Sequence, residues 1–546
     1  VVEDPAQFQP PTVAERARGL VRLNTLNGQF NLMTLVGVIL AVLAMLAAYY
    51  AMGKTADNFQ RVIIQSSPSI IAANQLGQAL NQLDTDAADV LITSSPAYAT
   101  QFRNQQTAAN ADFATARQLL DDNLLKAYAN VTFDGEEPTI KAIASGLHDY
   151  LAQIEIMRYE LSQGRREEAL AAYKKAHDIV IGNPTHAALP QGRTAEELLK
   201  QNDWSGLNTR QTYQGIEANV AKLFKINQNA LDSARSNVKA DTQLSLILVI
   251  VAGVLLVGAL AGLVLRYAIV THRFVNLGYV AALIAATTML TLLIIALSHA
   301  SDDFETVSYT SFFSVNSASR AKQALRDFNG DESRLLLNPA YLGLNPNSPA
   351  LTPEVKQAFS FDLMQQNFQY KKNQVLSRVA DGWSNVTYDG ERRALCQVAD
   401  IIKFNPIYPL QNARCNANDG LKTGSNGQPD FALTTYFGLH DNLIGLVQQG
   451  KISEALAISY GPSNAAAGRA LTGLEQLALV NEAYFNEASC ASIGRGHFES
   501  GQFVADNCAG HTFGGYLNLL QGLSPFIFTA LAISIVGGAW LSRKLF

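Results

Sequence analysis

A chain of 546 residues has room for about three to four ordinary domains. Its formal charge of −5 and pI near 6.0 offer no basic field, which argues against nucleic acid as a partner. Charged residues are only 16%, and a mean hydropathy of +0.05 averages long polar stretches with four uncharged apolar runs.

Residues 1–31 precede the first run. Thr12-Val13-Ala14-Glu15 has the Thr-x-x-Glu pattern of a helix N-terminus, and Val13, Ala17, Leu20 and Val21 then share one face. Arg16, Arg18 and Arg22 lie off that face. The segment reads first as a helix on anionic lipid, and second as a docking helix for a cytoplasmic partner. The chain opens on Val1-Val2 without an initiator Met, which leaves room for cytoplasmic residues ahead of it.

The runs Leu32–Met52, Leu244–Leu265, Leu277–Leu297 and Leu523–Leu541 each exceed about 18 residues, the length a helix needs to cross hydrocarbon. They hold no Asp, Glu, Lys, Arg or His, which argues against ion or proton transport. Arg16, Arg18 and Arg22 precede the first run, Arg266, His272 and Arg273 fill the short 266–276 connector, and Arg543 and Lys544 lie in the 542–546 tail. The positive-inside rule then puts both termini and the connector in the cytoplasm of a multi-pass plasma-membrane protein, with residues 53–243 and 298–522 outside. In the second run Gly258-x-x-x-Gly262 permits close helix approach, either within the four-span bundle or in a homodimer.

The two outer segments are copies of one unit. Asn31-Leu32 recurs as Asn276-Leu277, Gln78-Ala79-Leu80 as Gln323-Ala324-Leu325, and Pro96-Ala97-Tyr98 as Pro339-Ala340-Tyr341. The strongest match sets Asn130-Val131-Thr132-Phe133-Asp134-Gly135-Glu136 against Asn385-Val386-Thr387-Tyr388-Asp389-Gly390-Glu391. Leu76, Leu80, Leu83, Ala87, Val90 and Leu91 keep a 3.6-residue period, as do their counterparts apart from Glu332. No stretch alternates as a strand would. The expected fold is all-α: four transmembrane helices carrying two tandem antiparallel helical bundles. Pro96 and Pro339 are expected to start second helices, and the Asp-Gly turns to end them.

All four cysteines fall in the second copy. An even number on the outer side implies disulfides, and four cysteines allow three pairings; the favoured one is Cys396–Cys415 with Cys490–Cys508, which would each pin an inserted loop (Phe404–Asp430 and Ile493–Thr512) to the bundle. The eight histidines show no ligand spacing. Asp327-x-Asn329-x-Asp331 lacks the glycine and glutamate of a calcium loop, and Asp84-x-Asp86-x-x-Asp89 reads as a solvated helix face. The Asn-Val-Thr sequons are better explained by shared turn chemistry than by glycosylation. No phosphate loop, nucleophile elbow or kinase signature occurs, so neither an enzyme nor a cofactor is expected.

Span, outer helical bundle, span resembles the four-helix-bundle sensor modules of chemoreceptors and histidine kinases. A tandem pair ending at Phe546, without a signalling coiled coil or kinase core, resembles the GlnX-type membrane sensors of actinobacteria. That resemblance implies amino-acid sensing through an extracytoplasmic solute-binding lipoprotein and output to a cytoplasmic Ser/Thr kinase. The competing expectation is a scaffold or accessory subunit of a larger envelope complex.

Overall fold

Fourteen α-helices make up nearly all of the described chain. The computed structural model describes residues 26–60, 65–95, 98, 101–182, 215–272, 276–305, 310–386, 389–399, 415, 430–493, 497–499, 502–504, 529, 533–537 and 540.

Helix α1 (Leu26–Gln60) carries the first apolar run. The first unit follows as α2 (Ser67–Thr93), α3 (Arg103–Ala129), α4 (Glu136–Ser162) and α5 (Arg166–Ile181). It closes with α6 (Ile216–Thr271), whose 56 residues continue without a break into the second apolar run. At 1.5 Å per residue α6 is about 84 Å long, far more than the roughly 30 Å of a bilayer core. Helix α7 (Leu277–Glu305) carries the third run. The second unit comprises α8 (Phe312–Leu336), α9 (Pro353–Ala358), α10 (Phe361–Ser384) and α11 (Asp389–Val398). It continues as α12 (Ala432–Gln448), α13 (Ile452–Ile458), a π-helical turn at Ser459–Ser463 and α14 (Asn464–Ile493).

Three helical stretches are long and apolar enough to cross a membrane: Gly28–Lys54 in α1, α6, and Leu277–Ser298 in α7. The fourth run lies mostly outside the described residues, but Ile535 within it is fully buried in the same apolar cluster as α1, α6 and α7. Helix α6 packs on both α1 and α7. Where α7 approaches, Gly253 leaves no room for a Cβ beside Leu290.

Two local expectations are corrected. Pro339 does not start a helix: residues 337–352 form successive turns, among them Tyr341 N–H to Asn338 C=O at 2.9 Å, and the next helices begin at Pro353 and Phe361. The proline is held there because Asn338 caps the turn, accepting from Ala340 N at 3.0 Å and donating to Phe359 C=O at 3.0 Å. A small antiparallel hairpin, β1 (His497–Glu499) with β2 (Gln502–Val504), also occurs where no strand was expected.

The repeated Asn-Val-Thr-(Phe/Tyr)-Asp-Gly-Glu motif is a clasp. Asn130 Nδ2 donates to Gln65 C=O at 3.2 Å and Ser69 Oγ at 2.6 Å, binding the start of α2. Asn385 repeats this on Thr310 C=O and Ser314 Oγ at the start of α8. Gly135 supplies the left-handed residue of the turn (φ 92°), and buried Glu136 accepts the N–H groups of Thr132 and Phe133 at 2.6 and 2.7 Å. The first sequon, Asn130-Val131-Thr132, therefore belongs to a folded turn.

The two units are not separate bundles. They share one apolar core, and their first helices, α2 and α8, lie against each other. Equivalent residues meet: Thr34 Oγ1 with Tyr279 Oη at 3.2 Å, Thr85 with Gly330, and Tyr98 Oη donating to Tyr341 C=O at 2.9 Å. Off the axis the contacts are reciprocal. Asn81 Nδ2 donates to Gln323 C=O and Arg326 Nη1 to Gln78 C=O, each at 3.4 Å, where Gln78 corresponds to Gln323 and Asn81 to Arg326. Residue i on j and j on i is the signature of a twofold interface, here inside one chain. The pseudo-twofold axis runs from the apolar helices to the far end of the body.

Candidate functional site

The seam between α2 and α8 carries the densest buried charge in the described chain, on the two acidic motifs that sequence reasoning set aside. Asp84 is 1% exposed, and so is Asp331. The Asp84-x-Asp86-x-x-Asp89 pattern is turned into the body rather than to solvent: the periodic apolar residues beside it join the shared core, and the acidic stripe lies at the seam with α8.

Asp84 Oδ2 receives groups from both units. Within its own unit, Tyr173 Oη donates at 3.2 Å and His177 Nδ1 lies at 2.8 Å. From the other unit, Arg334 Nη1 donates at 2.8 Å. The same guanidinium reaches Asp331 through Nε at 2.8 Å and Asp327 through Nη2 at 3.0 Å, and Lys371 Nζ on α10 bridges Asp327 and Asp331 at 2.7 and 2.8 Å. Burial alone would raise the Asp84 carboxyl; His177 and Arg334 outweigh it and hold the group below the ordinary carboxylate range. Asp331 is likewise pushed up by burial and brought below that range by Lys371 and Arg334. In the second unit Glu332, expected to be the one polar gap in an apolar stripe, is buried with His440 Nδ1 at 2.8 Å and Ser463 Oγ at 3.0 Å.

Arg334 and Lys371 thus tie together carboxylates from both units, while Asp84 Oδ1 has no hydrogen-bond partner. Among the described residues no group of His, Cys, Asp and Glu has the arrangement of a metal site.

The residues singled out from sequence lie elsewhere. Cys396 and Cys415 are disulfide-bonded, with Cα atoms 5.5 Å apart, and Cys396 is fully buried. The side chains of Cys490 and Cys508 lie outside the described residues, as do Arg16, Arg18, Arg22 and Arg273. Arg266 is exposed at the end of α6 and donates to Gln29 Oε1 of α1 at 2.8 Å, tying the two helix ends together. His272 caps α6 in the left-handed conformation (φ 53°). Phe30, Tyr267 and Tyr279 stack edge to face beside it, at 6.1 and 6.4 Å between centroids. A Cβ on Gly258 or Gly262 would meet nothing within 4 Å, so that face of α6 is unused by the described helices.

The class these features define is a helical protein with membrane-crossing helices and a two-unit body on a pseudo-twofold axis. No family model, curated protein or solved structure matches it.

Proposed function

We propose that this chain is a transmembrane signal transducer, with its two-unit body outside the cell and the 266–276 turn in the cytoplasm. The observation that carries the reading is α6: one helix leads from the core of the body at Ile216, through the apolar run, to the cap at His272. Rotation or axial displacement of the body acts on the turn through a stiff rod, without an intervening hinge. Arg266–Gln29 and the aromatic cluster pass that displacement to α1 and α7.

By resemblance to GlnX-type sensors, the outer partner is a solute-binding lipoprotein and the inner one a Ser/Thr kinase or comparable effector. Arg16, Arg18, Arg22, Arg266, His272 and Arg273 supply a basic inner surface for an acidic partner. Each exposed ion pair there is worth at most about 1 kcal/mol, so docking needs several together. Crosslinking in intact cells, followed by identification of the captured proteins, tests the reading. A solute-binding protein on the body and a signalling enzyme on the turn are expected. A stoichiometric multi-subunit envelope complex instead would select the scaffold.

A further inference from the structure

The pseudo-twofold axis allows each charge in the seam to be compared with its counterpart, and the two sides are not alike. At the repeat spacing of 245, Asp86 corresponds to Asp331 (331 − 86 = 245) and Asp89 to Arg334 (334 − 89 = 245). On one side Asp331 is neutralised by Arg334 and Lys371. On the other its counterpart Asp86, only 3% exposed, receives Gln82 Nε2 on Oδ1 at 2.7 Å, while Oδ2 has no partner. The place that would hold a matching arginine holds Asp89, a second carboxylate, whose Oδ1 accepts from Tyr460 Oη at 3.1 Å.

The groups facing this pair do not make up the missing charge. Helix α3 contributes Asp112, and α8 contributes Glu332, the neutral Ser333 hydrogen-bonded to Asp89, and the single cation Arg326, whose Nη1 is directed to Gln78 C=O. The π-helical turn offers only the neutral Tyr460, while α5 presents His177 toward Asp84 and α6 presents Glu217 toward Asp327 and Lys371 instead. Two ionised carboxylates here would lie in a desolvated seam with one poorly placed cation, an arrangement that buried charges do not sustain.

We propose that the seam between the two units is a proton-operated joint: Asp86 and Asp89 are protonated when the units are closed together, and losing those protons to solvent loosens α2 from α8. Asp89 lies at the partly exposed edge of the seam, which gives the protons a route out. The protein around the pair supports this, since burial with Asp89 beside it pushes Asp86 up to about 8, and burial pushes Asp89 up to about 6. The sign follows from linkage. A carboxyl with a raised folded-state pKa contributes stability that is fully present below its unfolded value, and that stability is lost as pH rises through the folded value. The loss therefore runs from about pH 4 to about pH 8, with both protons linked up to about pH 6 and the one on Asp86 alone from about pH 6 to 8.

This inference rests on the seam alone and stands whether or not the chain is a transducer. Hydrogen exchange of α2 and α8 in the full-length protein in nanodiscs, corrected for intrinsic pH dependence, tests it. Opening that releases one proton grows about tenfold per pH unit from about pH 6 to 8, so seam amides should exchange at least about tenfold faster at pH 8 than at pH 6. Asp86→Asn with Asp89→Asn, neutral and of the same shape, should make the profile flat. Infrared difference spectra of the wild type should show protonated carboxyl lost over the same range, and Asp86→Asn alone should lose the part near pH 8 while keeping the Asp89 part near pH 6, which keeps the test decisive if the double variant fails to fold. A flat wild-type profile, or a double variant with the wild-type rise, would overturn the joint.

Discussion

Replacing Arg334 by methionine is the sharpest single perturbation of the seam. The guanidinium, 3% exposed, contacts Asp84, Asp327 and Asp331, and after its removal Lys371 alone faces Asp327 and Asp331 while Asp84 keeps only Tyr173 and His177. Removing one partner of a buried pair costs about 3–5 kcal/mol because a charge is left uncompensated. Protonation caps that cost: neutralising one carboxyl at pH 7 from an ordinary pKa near 3.9 takes about 4 kcal/mol. The expected loss is thus about 3–4 kcal/mol, measured by chemical unfolding in nanodiscs. A disulfide engineered from Asn74→Cys and Asn316→Cys, whose native side chains lie 2.8 Å apart, should form in lower yield in the same variant. Adding Asp84→Asn should recover part of the loss, since it removes one stranded charge. A loss below about 1 kcal/mol, the scale of an exposed pair, would refute the claim that this network holds the units together.

Asp84 and Asp331 have depressed pKa values, so their contribution is present above the unfolded value and lost as pH falls through the folded one; unfolding midpoints should fall below about pH 4, and Asp84→Asn should weaken that acid dependence. Cys396→Ser with Cys415→Ser should cost about 3 kcal/mol in the chain-entropy model, for a sequence separation of 19, read by non-reducing unfolding curves. Gly253→Val should disturb the packing of α6 on α7, whereas Gly258→Val should not, by thermal inactivation in detergent. If Gly258→Val instead lowers the oligomeric mass in nanodiscs, that face of α6 belongs to a homodimer.

What could be read from sequence followed from periodicity. Uncharged runs identified the three described helices that are long and apolar enough to cross a membrane, and the 3.6-residue spacing of Leu76 to Leu91 marked α2 as helical with one apolar face. The repeat was legible because Asn130 and Asn385 do the same work, clasping the starts of α2 and α8. The seam was not legible. An acidic stripe such as Asp84, Asp86 and Asp89 is ordinarily solvated, and only the approach of a second unit turns it inward. One signal was available: Asp89 and Arg334 occupy the same repeat position with opposite charge, so the two copies do not carry the same charge pattern. Glu332 in an otherwise apolar stripe was a second.

The central claim is that the body and the 266–276 turn move together through α6. Its most direct test locks the seam with the Asn74→Cys/Asn316→Cys disulfide and follows hydrogen exchange of residues 264–282 in nanodiscs, with and without reductant. The wild-type cysteines, treated identically, control for reduction of Cys396–Cys415. If α6 transmits, locking the seam protects the amides around Tyr267 and Tyr279 several-fold, although they lie at the opposite end of the apolar helices from the lock. Identical exchange in the locked and unlocked states would show that the body and the turn are uncoupled.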